Sequence, residues 1–550
     1  MERFDYIVVG GGSAGCILAE RLSHDPATSV LLLEAGGTDA SPLVSIPLGY
    51  GPLHRDPRRT WRFETAPEAG LNDRRLTYPR GRLIGGSGSI NALVYCRGLP
   101  SDYDDWAEAG AEGWAWRDVE PVFERLETKV AASGARSGNG PIHVQDVSDR
   151  IHPVTSHFFA AIDELRLPRS QDCNGARPEG ATAYHINTRD GRRCSSAKAF
   201  LGPARNRRNL KVITKAVVRR LLMSDRTATG VELIDGRRFS AGHEVILSTG
   251  AIGSPQILHL SGIGPGQVLN AHGIDVICDN GNVGGHLQDH LCVSYTFEAK
   301  VPTLNTCLGR VAGLSLAVLR YLARRGGPLA LSVNQCGGFL RSAPELARPD
   351  QQLYFNPISY RMRGPDGRSK LVIDPFEGFV LCAQPARPTS RGRVDIASAD
   401  PENHPRIQPN YLSTEEDRAA AIGGARLCQK ITRTKALHSL VKQSISHDLT
   451  LMAKDDLLED FQNRGSTVFH PVGTCRMGRD PATSVVDPTL KVHGIERLRV
   501  VDASAFPNIT SGNTNAPTMM LALKAADLIV KDRTGMTPQL NTRRPEDMSK

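Results

Sequence analysis

The sequence predicts an α/β protein in two parts, a domain on a parallel sheet interrupted by an inserted α+β domain on an antiparallel sheet. Three observations predict it. The chain runs to 550 residues, more than one hydrophobic core organises. Near its start an apolar, β-branched run leads straight into a glycine loop, "YIVVGGGSAGCILAERL" (6–22). Far downstream, "GFVLCAQPARPTSRGRVDIAS" (378–398) reads as two strands joined by a Pro-, Ser- and Gly-rich turn, which suits antiparallel pairing.

The first element is the strand at 6–9, apolar throughout as a strand buried on both faces must be. Gly10, Gly12 and Gly15 then give G-x-G-x-x-G, with Ser13 and Ala14 between them. Gly10 permits the tight turn, Gly12 lets the backbone approach a pyrophosphate, and Gly15 lets the following helix pack close to the strand. That helix, expected at roughly 14–23, aims its N-terminal N–H groups and positive dipole end at the phosphates. The next strand, "SVLLLEAG" (29–36), ends in Glu34 and Ala35. An acid about 20 residues past the loop suits a ribose hydroxyl pair and repels a 2′-phosphate. The whole is a Rossmann-like dinucleotide site, and by itself it leaves NAD and FAD both open.

"RGRLIGGSGSINALVYCRG" (80–98) carries five glycines, a backbone that must pass close to something flat or anionic. "EVILSTGAI" (244–252) and "RLRVVDAS" (497–504) read as further strands running toward the cofactor. The cofactor domain is therefore expected from 1–155, 205–300 and 465–535, and the inserted domain from 156–204 and 301–464. The polar end, loose from Arg533 onward, leaves 536–550 as a tail.

Composition narrows the function. The formal charge is 67 − 58 = +9, but the basic residues are scattered with no aromatic interleaving, so nucleic-acid binding is not expected. Eleven cysteines, an odd number with no C-x-x-C pair, argue against a disulfide framework or structural zinc and fit a reducing compartment. His286 and His290 in "GGHLQDH" have i, i+4 spacing but no evident third ligand, so no metal is expected. No signal-peptide pattern precedes the first strand, and the chain is expected to be cytoplasmic or peripheral on the inner face of the cell membrane. "VAGLSLAVL" (311–319) is too short to span a bilayer and reads as a buried helix or cavity lid, with membrane contact at most peripheral.

Three separated stretches carry a family resemblance. They are "GGSGSIN" (85–91), "GAIGSPQILHLSGIG" (250–264), and a C-terminal block of "HPVGTCRMG" (470–478), "VVDPTLKVHGIERLRVVDASAFP" (485–507) and "SGNTNAPTMMLALKAADLI" (511–529). In their order they resemble the signatures of the glucose–methanol–choline (GMC) oxidoreductases, FAD enzymes, and most of all the bacterial alcohol and choline dehydrogenase branch. The resemblance spans about residues 4–531. It implies that the Gly10–Gly15 loop with Glu34 and Ala35 holds the ADP part of FAD. Leu83, Gly86 and Asn91, Ala92, Leu93 and Val94 would line the pyrophosphate, ribityl and flavin, with Trp61 bordering the ring. Val218 would touch the adenine through its backbone, Asp502 and Ala503 the pyrophosphate and ribityl, and Asn513 and Thr514 the isoalloxazine. Family members with covalent flavin carry a His where this chain has Ile90, so non-covalent FAD is implied. Gly88 stands where Ser is commoner.

The resemblance also gives "STVFHPVGTCRMG" (466–478) its meaning. Oxidising an alcohol removes a proton from oxygen and a hydride from carbon, and an imidazole suits the proton near neutral pH. The family places that base at His470 and its amide partner at Asn513. Cys475 lacks a base and reads as packing, and Asp289 and His290 read as structural. Pocket residues are expected within 330–360, such as Asn334, Gln335, Phe355 and Asn356. The leading expectation is FAD-dependent oxidation of a primary alcohol to the aldehyde, with oxygen, a quinone or a carrier protein as electron acceptor, by a monomer or homodimer. The alternatives are a hydroxynitrile lyase-type relative that keeps FAD without net redox chemistry, and a binding role without turnover. A quaternary ammonium substrate would need a carboxylate and an aromatic cage. At 5% aromatics none is identifiable, which favours an uncharged alcohol.

Overall fold

The computed structural model describes residues 1–363, 370–446 and 448–535 and builds them on two main sheets. The first has seven strands. Leu210–Thr214, Val30–Glu34, Glu2–Val9, Arg238–Leu247, Thr227–Leu233 and Val218–Ser224 run in that order, and Leu498–Val500 pairs with Arg238–Leu247. The first four and Leu498–Val500 are parallel. Register fixes the site: Val9 lies opposite both Leu33 and Leu247, and Leu247 opposite Val500. Gly10, Glu34, Ser248 and Asp502 therefore emerge together at the carboxyl edge, where open parallel sheets take their ligands.

The second sheet is antiparallel: Cys336–Leu340, Gln351–Asn356, Gly378–Pro385, Leu291–Ala299 and Val441–Ser444, with the short Ser466–Thr467 paired to Leu291–Ala299. Phe355, Phe379, Leu381 and Phe297 pack on one face against the helix Glu415–Arg433. The alternate residues face a cavity.

Several sequence boundaries move. Leu291–Ala299, expected in the first part, is a central strand of the second sheet. Residues 197–204, expected in the insert, bury Phe200, Leu201 and Ala204 in the first core against the helix Ser13–Leu22. The two strands expected within 378–398 both form but do not pair, since Arg393–Asp395 pairs with Arg406–Gln408. Arg533 is not loose: it lies in the helix Asn515–Thr534 and donates to Thr28 and Asp25. The tail at 536–550 lies outside the described residues. The 311–319 segment is neither buried nor a lid on the cavity wall. It opens the helix Val311–Arg324, which buries only Ala317 and Tyr321 and turns its leucines outward.

Candidate active site

A cavity of about 720 Å³ runs from the carboxyl edge of the first sheet to the face of the second. Gly10, Gly12, Ser13 and Ala14 line one end with Glu34 and Ala35. A Cβ on Gly15 would sit 1.8 Å from the Gly10 carbonyl oxygen, so the helix reaches its place only because residue 15 has none. Gly12 faces open space except for the Ser248 oxygen at 3.8 Å, and the first turn of the helix Ser13–Leu22 has no side-chain cap, which leaves its N–H groups to an anion. Glu34 accepts from the Gly11 and Gly36 N–H groups at 2.9 and 2.7 Å. Burial pushes its carboxyl up to about 7. These features fit a dinucleotide: a glycine cradle for pyrophosphate, and a desolvated carboxyl with lone pairs left for ribose hydroxyls.

The middle of the wall holds Trp61, Gly86, Asn91, Ala92, Leu93 and Val94. Gly86 takes φ +51°, and a Cβ there would meet Gly12 Cα at 2.8 Å, so the two glycine loops touch. Arg193 pins this loop, donating to the Val44 and Gly88 carbonyls and to Asn91 Oδ1 at 3.0, 3.3 and 2.6 Å. A Cβ on Gly88 would lie 2.7 Å from Ser13 Oγ, which donates instead to Asn515, so the missing Ser leaves room for that bond. Val218, Asp502, Ala503 and Thr514 also reach the wall. Asp502 holds the start of the helix Gly250–Leu260 through Ser254 Oγ and the Gly250 N–H, at 2.6 and 2.8 Å. Leu83 lies apart from these residues. It is off the wall and fully buried with Val44, Leu53 and Ile90, because its backbone bridges Gly37 and turns the side chain inward.

The other end is built by strand pairing. Leu291 lies opposite Thr467, which brings His290 beside the turn that follows Ser466–Thr467. Phe469 takes φ +68° in that turn, a backbone cost that aims His470 at the cavity. The Asp289 carboxylate holds the turn by accepting from the His470 N–H at 2.7 Å and from the Thr467 and Tyr411 hydroxyls. Arg80 donates to the Phe469 carbonyl at 2.6 Å. Asn513 arrives from the opposite side on a loop whose Gly512, at φ +82°, could not carry a Cβ beside Phe339. Asp102 ties that loop down through Ser511.

The hydrogen bonds assign the tautomers. His290 Nε2 lies 2.9 Å from the Ala386 carbonyl oxygen, which only accepts, so Nε2 carries the proton. In a neutral ring His290 Nδ1 then accepts, and His470 Nδ1, 3.0 Å away, must donate to it. His470 Nε2 is left without a proton and accepts from Asn513 Nδ2 at 3.2 Å. Gln352 donates to Asn513 Oδ1 at 3.3 Å, which turns the amide N–H₂ toward His470. A base and a donor thus converge on one point of the cavity.

Burial, with His290 and Arg80 nearby, holds the His470 imidazole well below its ordinary 6.5, and burial lowers His290 to about 4. A base must be neutral, and a lowered pKa keeps it neutral further into acid. The acid limb of kcat/KM measured against pH is therefore expected below pH 6.5, and a limb at or above 6.5 would contradict this arrangement.

Asn334 and Asn356 line the cavity, whereas Gln335 and Phe355 do not. Alternation explains Phe355: next to Asn356 on one strand, it points into the opposite core. Gln335 is buried, accepting from the His152 N–H. Cys475 is fully buried, as its packing role requires. Asp289 and His290 do more than structure, since both position His470. Among the described residues no group of three or more His, Cys, Asp or Glu side chains could hold a metal. None of their helices is long and apolar enough to cross a membrane.

The sequence matches the N-terminal model of the GMC oxidoreductases over residues 4–292 and the C-terminal model over 388–522. It is 40% identical to an alcohol dehydrogenase (acceptor) of Pseudomonas putida, covering 96% of each chain. An oxygen-dependent choline dehydrogenase of Photobacterium profundum is 39% identical, over 97% of this chain and 94% of that one. Pyridoxine 4-oxidase from Mesorbium loti superposes with a TM-score of 0.84 at 30% identity, over 95% and 98% of the two chains. A formate oxidase superposes at 0.89 with 27% identity, over 97% and 99%.

Proposed function

The chain belongs to the GMC oxidoreductase family, and from that premise we propose that it is an FAD enzyme oxidising an uncharged primary alcohol to the aldehyde. FAD, held without a covalent bond, would lie along the cavity on Gly10–Gly15, Glu34, Gly86, Asn91–Val94, Val218, Asp502, Ala503 and Thr514. When bound it supplies the hydride acceptor. The protein does the rest. His470 Nε2 takes the hydroxyl proton as the carbon–hydrogen bond weakens. Asn513 Nδ2 donates to the oxygen as it gains negative charge and, being an amide, cannot compete as base. His290 Nδ1 accepts from His470 Nδ1 at 3.0 Å, which fixes the His470 tautomer and leaves Nε2 to take the proton.

The observation that carries this reading is the pairing of a bare His470 Nε2 with Asn513 Nδ2 at 3.2 Å on the cavity wall. Substrate charge follows from the same wall. Its acids among the described residues are Glu34, Asp502 and Glu402. The first two are bonded into the glycine loop and the Gly250–Leu260 helix, and Glu402 lies in the 401–403 turn bonded to Gln256. Val94, Cys292, Tyr354, Val380, Cys382 and Val468, which pack as one cluster, also line the cavity. Such a wall offers no counter-charge to an ammonium group and favours an aliphatic or aromatic alcohol.

Anaerobic mixing of the yellow holoenzyme with a panel of alcohols tests the proposal. Bleaching of the flavin by uncharged primary alcohols is expected, with choline poorer. An unchanged spectrum with every alcohol, alongside cleavage of a cyanohydrin, would make the protein a lyase and overturn it.

A further inference from the structure

The helix Val311–Arg324 is built inside out. Ala317 and Tyr321 anchor it, yet Val311, Leu316, Leu319 and Leu322 are 85, 68, 63 and 61% exposed. At 100° per residue these four, with Ala312, Ser315 and Ala323 between them, span about 140° of the solvent side. Surface helices normally show the reverse. Its only charges are Arg320 and Arg324, one turn apart on a single edge, with Arg310 and Arg325 at its two ends. Among the described residues neither Arg320 nor Arg324 is in an ion pair, and residues 299–344 contain no Asp or Glu at all. An apolar face rimmed by unpaired arginines matches the boundary of an anionic bilayer, acyl chains below and phosphates beside. A second copy of the same face would set arginine against arginine.

Position agrees with this occupant. The buried side of the helix packs on a cluster that includes Tyr50, Ile358 and Ile373, and Tyr50 itself lines the cavity. Tyr360 and Leu371, also on the cavity wall, are 36 and 37% exposed. Tyr360 pairs with Ile373, so the helix and this exposed part of the cavity wall are neighbours.

We propose that the helix Val311–Arg324 docks the protein onto an anionic lipid surface, leucines inserted and arginines on the headgroups, with the cavity mouth facing the bilayer. Docking goes beyond the proposed reaction and does not depend on it.

Vesicle co-sedimentation of the holoenzyme tests it, with phosphatidylcholine vesicles and with phosphatidylcholine–phosphatidylglycerol vesicles, each at low and high salt. Binding to the anionic vesicles, weakened by salt, is expected. Leu319→Gln/Leu322→Gln should reduce the bound fraction at least about 10-fold, and Arg320→Glu/Arg324→Glu should abolish the preference for phosphatidylglycerol. Both variants should keep wild-type turnover of a water-soluble alcohol, which shows they are folded. No binding to either vesicle, binding unchanged in the leucine variant, or a stable dimer that the leucine variant dissociates would overturn the proposal. Because binding is read without substrate, its failure leaves the alcohol reading standing.

Discussion

His470→Ala is expected to lower kcat by about 10²-fold or more while the protein stays folded and keeps its FAD. The size follows from what remains. Asn513 can donate to an alkoxide but cannot take the hydroxyl proton, and His290 is held one ring further back with its Nε2 proton committed to the Ala386 carbonyl. Water is a poor substitute, because His470 sits at only 8% exposure among apolar walls. The hydroxyl would still meet Asn513, so KM should move far less than kcat, the pattern of an interaction made chiefly in the transition state. Steady-state rates with the flavin spectrum recorded on the same samples check this. Turnover within about threefold of wild type, with flavin retained, would remove His470 from the chemistry.

Gly15→Ala is expected to cost the protein both its cofactor and much of its stability. The added carbon would stand 1.8 Å from the Gly10 carbonyl oxygen and 3.0 Å from its carbon. Backbone cannot swing aside as a long side chain does, so the helix Ser13–Leu22 must lift off the sheet. That helix buries Ala14, Cys16, Ile17, Leu18, Ala19 and Leu22, and its first turn faces the cavity. Overpacking of this kind costs about 3 kcal/mol or more. The variant should purify colourless, with an apparent Tm lower by about 2–3 °C or more. A yellow protein of wild-type Tm would show that the loop is not the tight turn described.

Much of the fold could be read from the sequence because its signals are local. The apolar strand at 6–9, the glycine spacing at 10, 12 and 15, and Glu34 each state a backbone requirement within a few residues, and all converge on one end of the cavity. His470 and Asn513 became legible only through family resemblance, since nothing in their spacing of 43 residues predicts a 3.2 Å contact. What escaped was long-range. Arg193 gripping Asn91, Asp102 tying down Ser511 and Gln352 orienting Asn513 each join residues more than 100 apart. Asp289 and His290 looked structural because only a strand pairing between distant parts of the chain sets them against His470, 180 residues on from His290. Among the pocket residues, Asn334 and Asn356 reach the cavity, and Phe355 misses it for a simpler reason. A strand presents alternate side chains, so of two neighbours such as Phe355 and Asn356 one faces the cavity and the other the core. The Val311–Arg324 helix misled because its apolar composition is that of a buried segment, and only exposure shows which way it faces.

The central claim is that the hydrogen-bond chain from Ala386 through His290 leaves His470 with a bare Nε2 toward the cavity. Neutron diffraction from perdeuterated holoenzyme crystals near neutral pH observes this directly. The account predicts deuterons on His290 Nε2 and His470 Nδ1 and none on His470 Nε2. A deuteron on His470 Nε2 in the resting enzyme would contradict it, because the ring could then only donate to the alcohol whose proton it is meant to take.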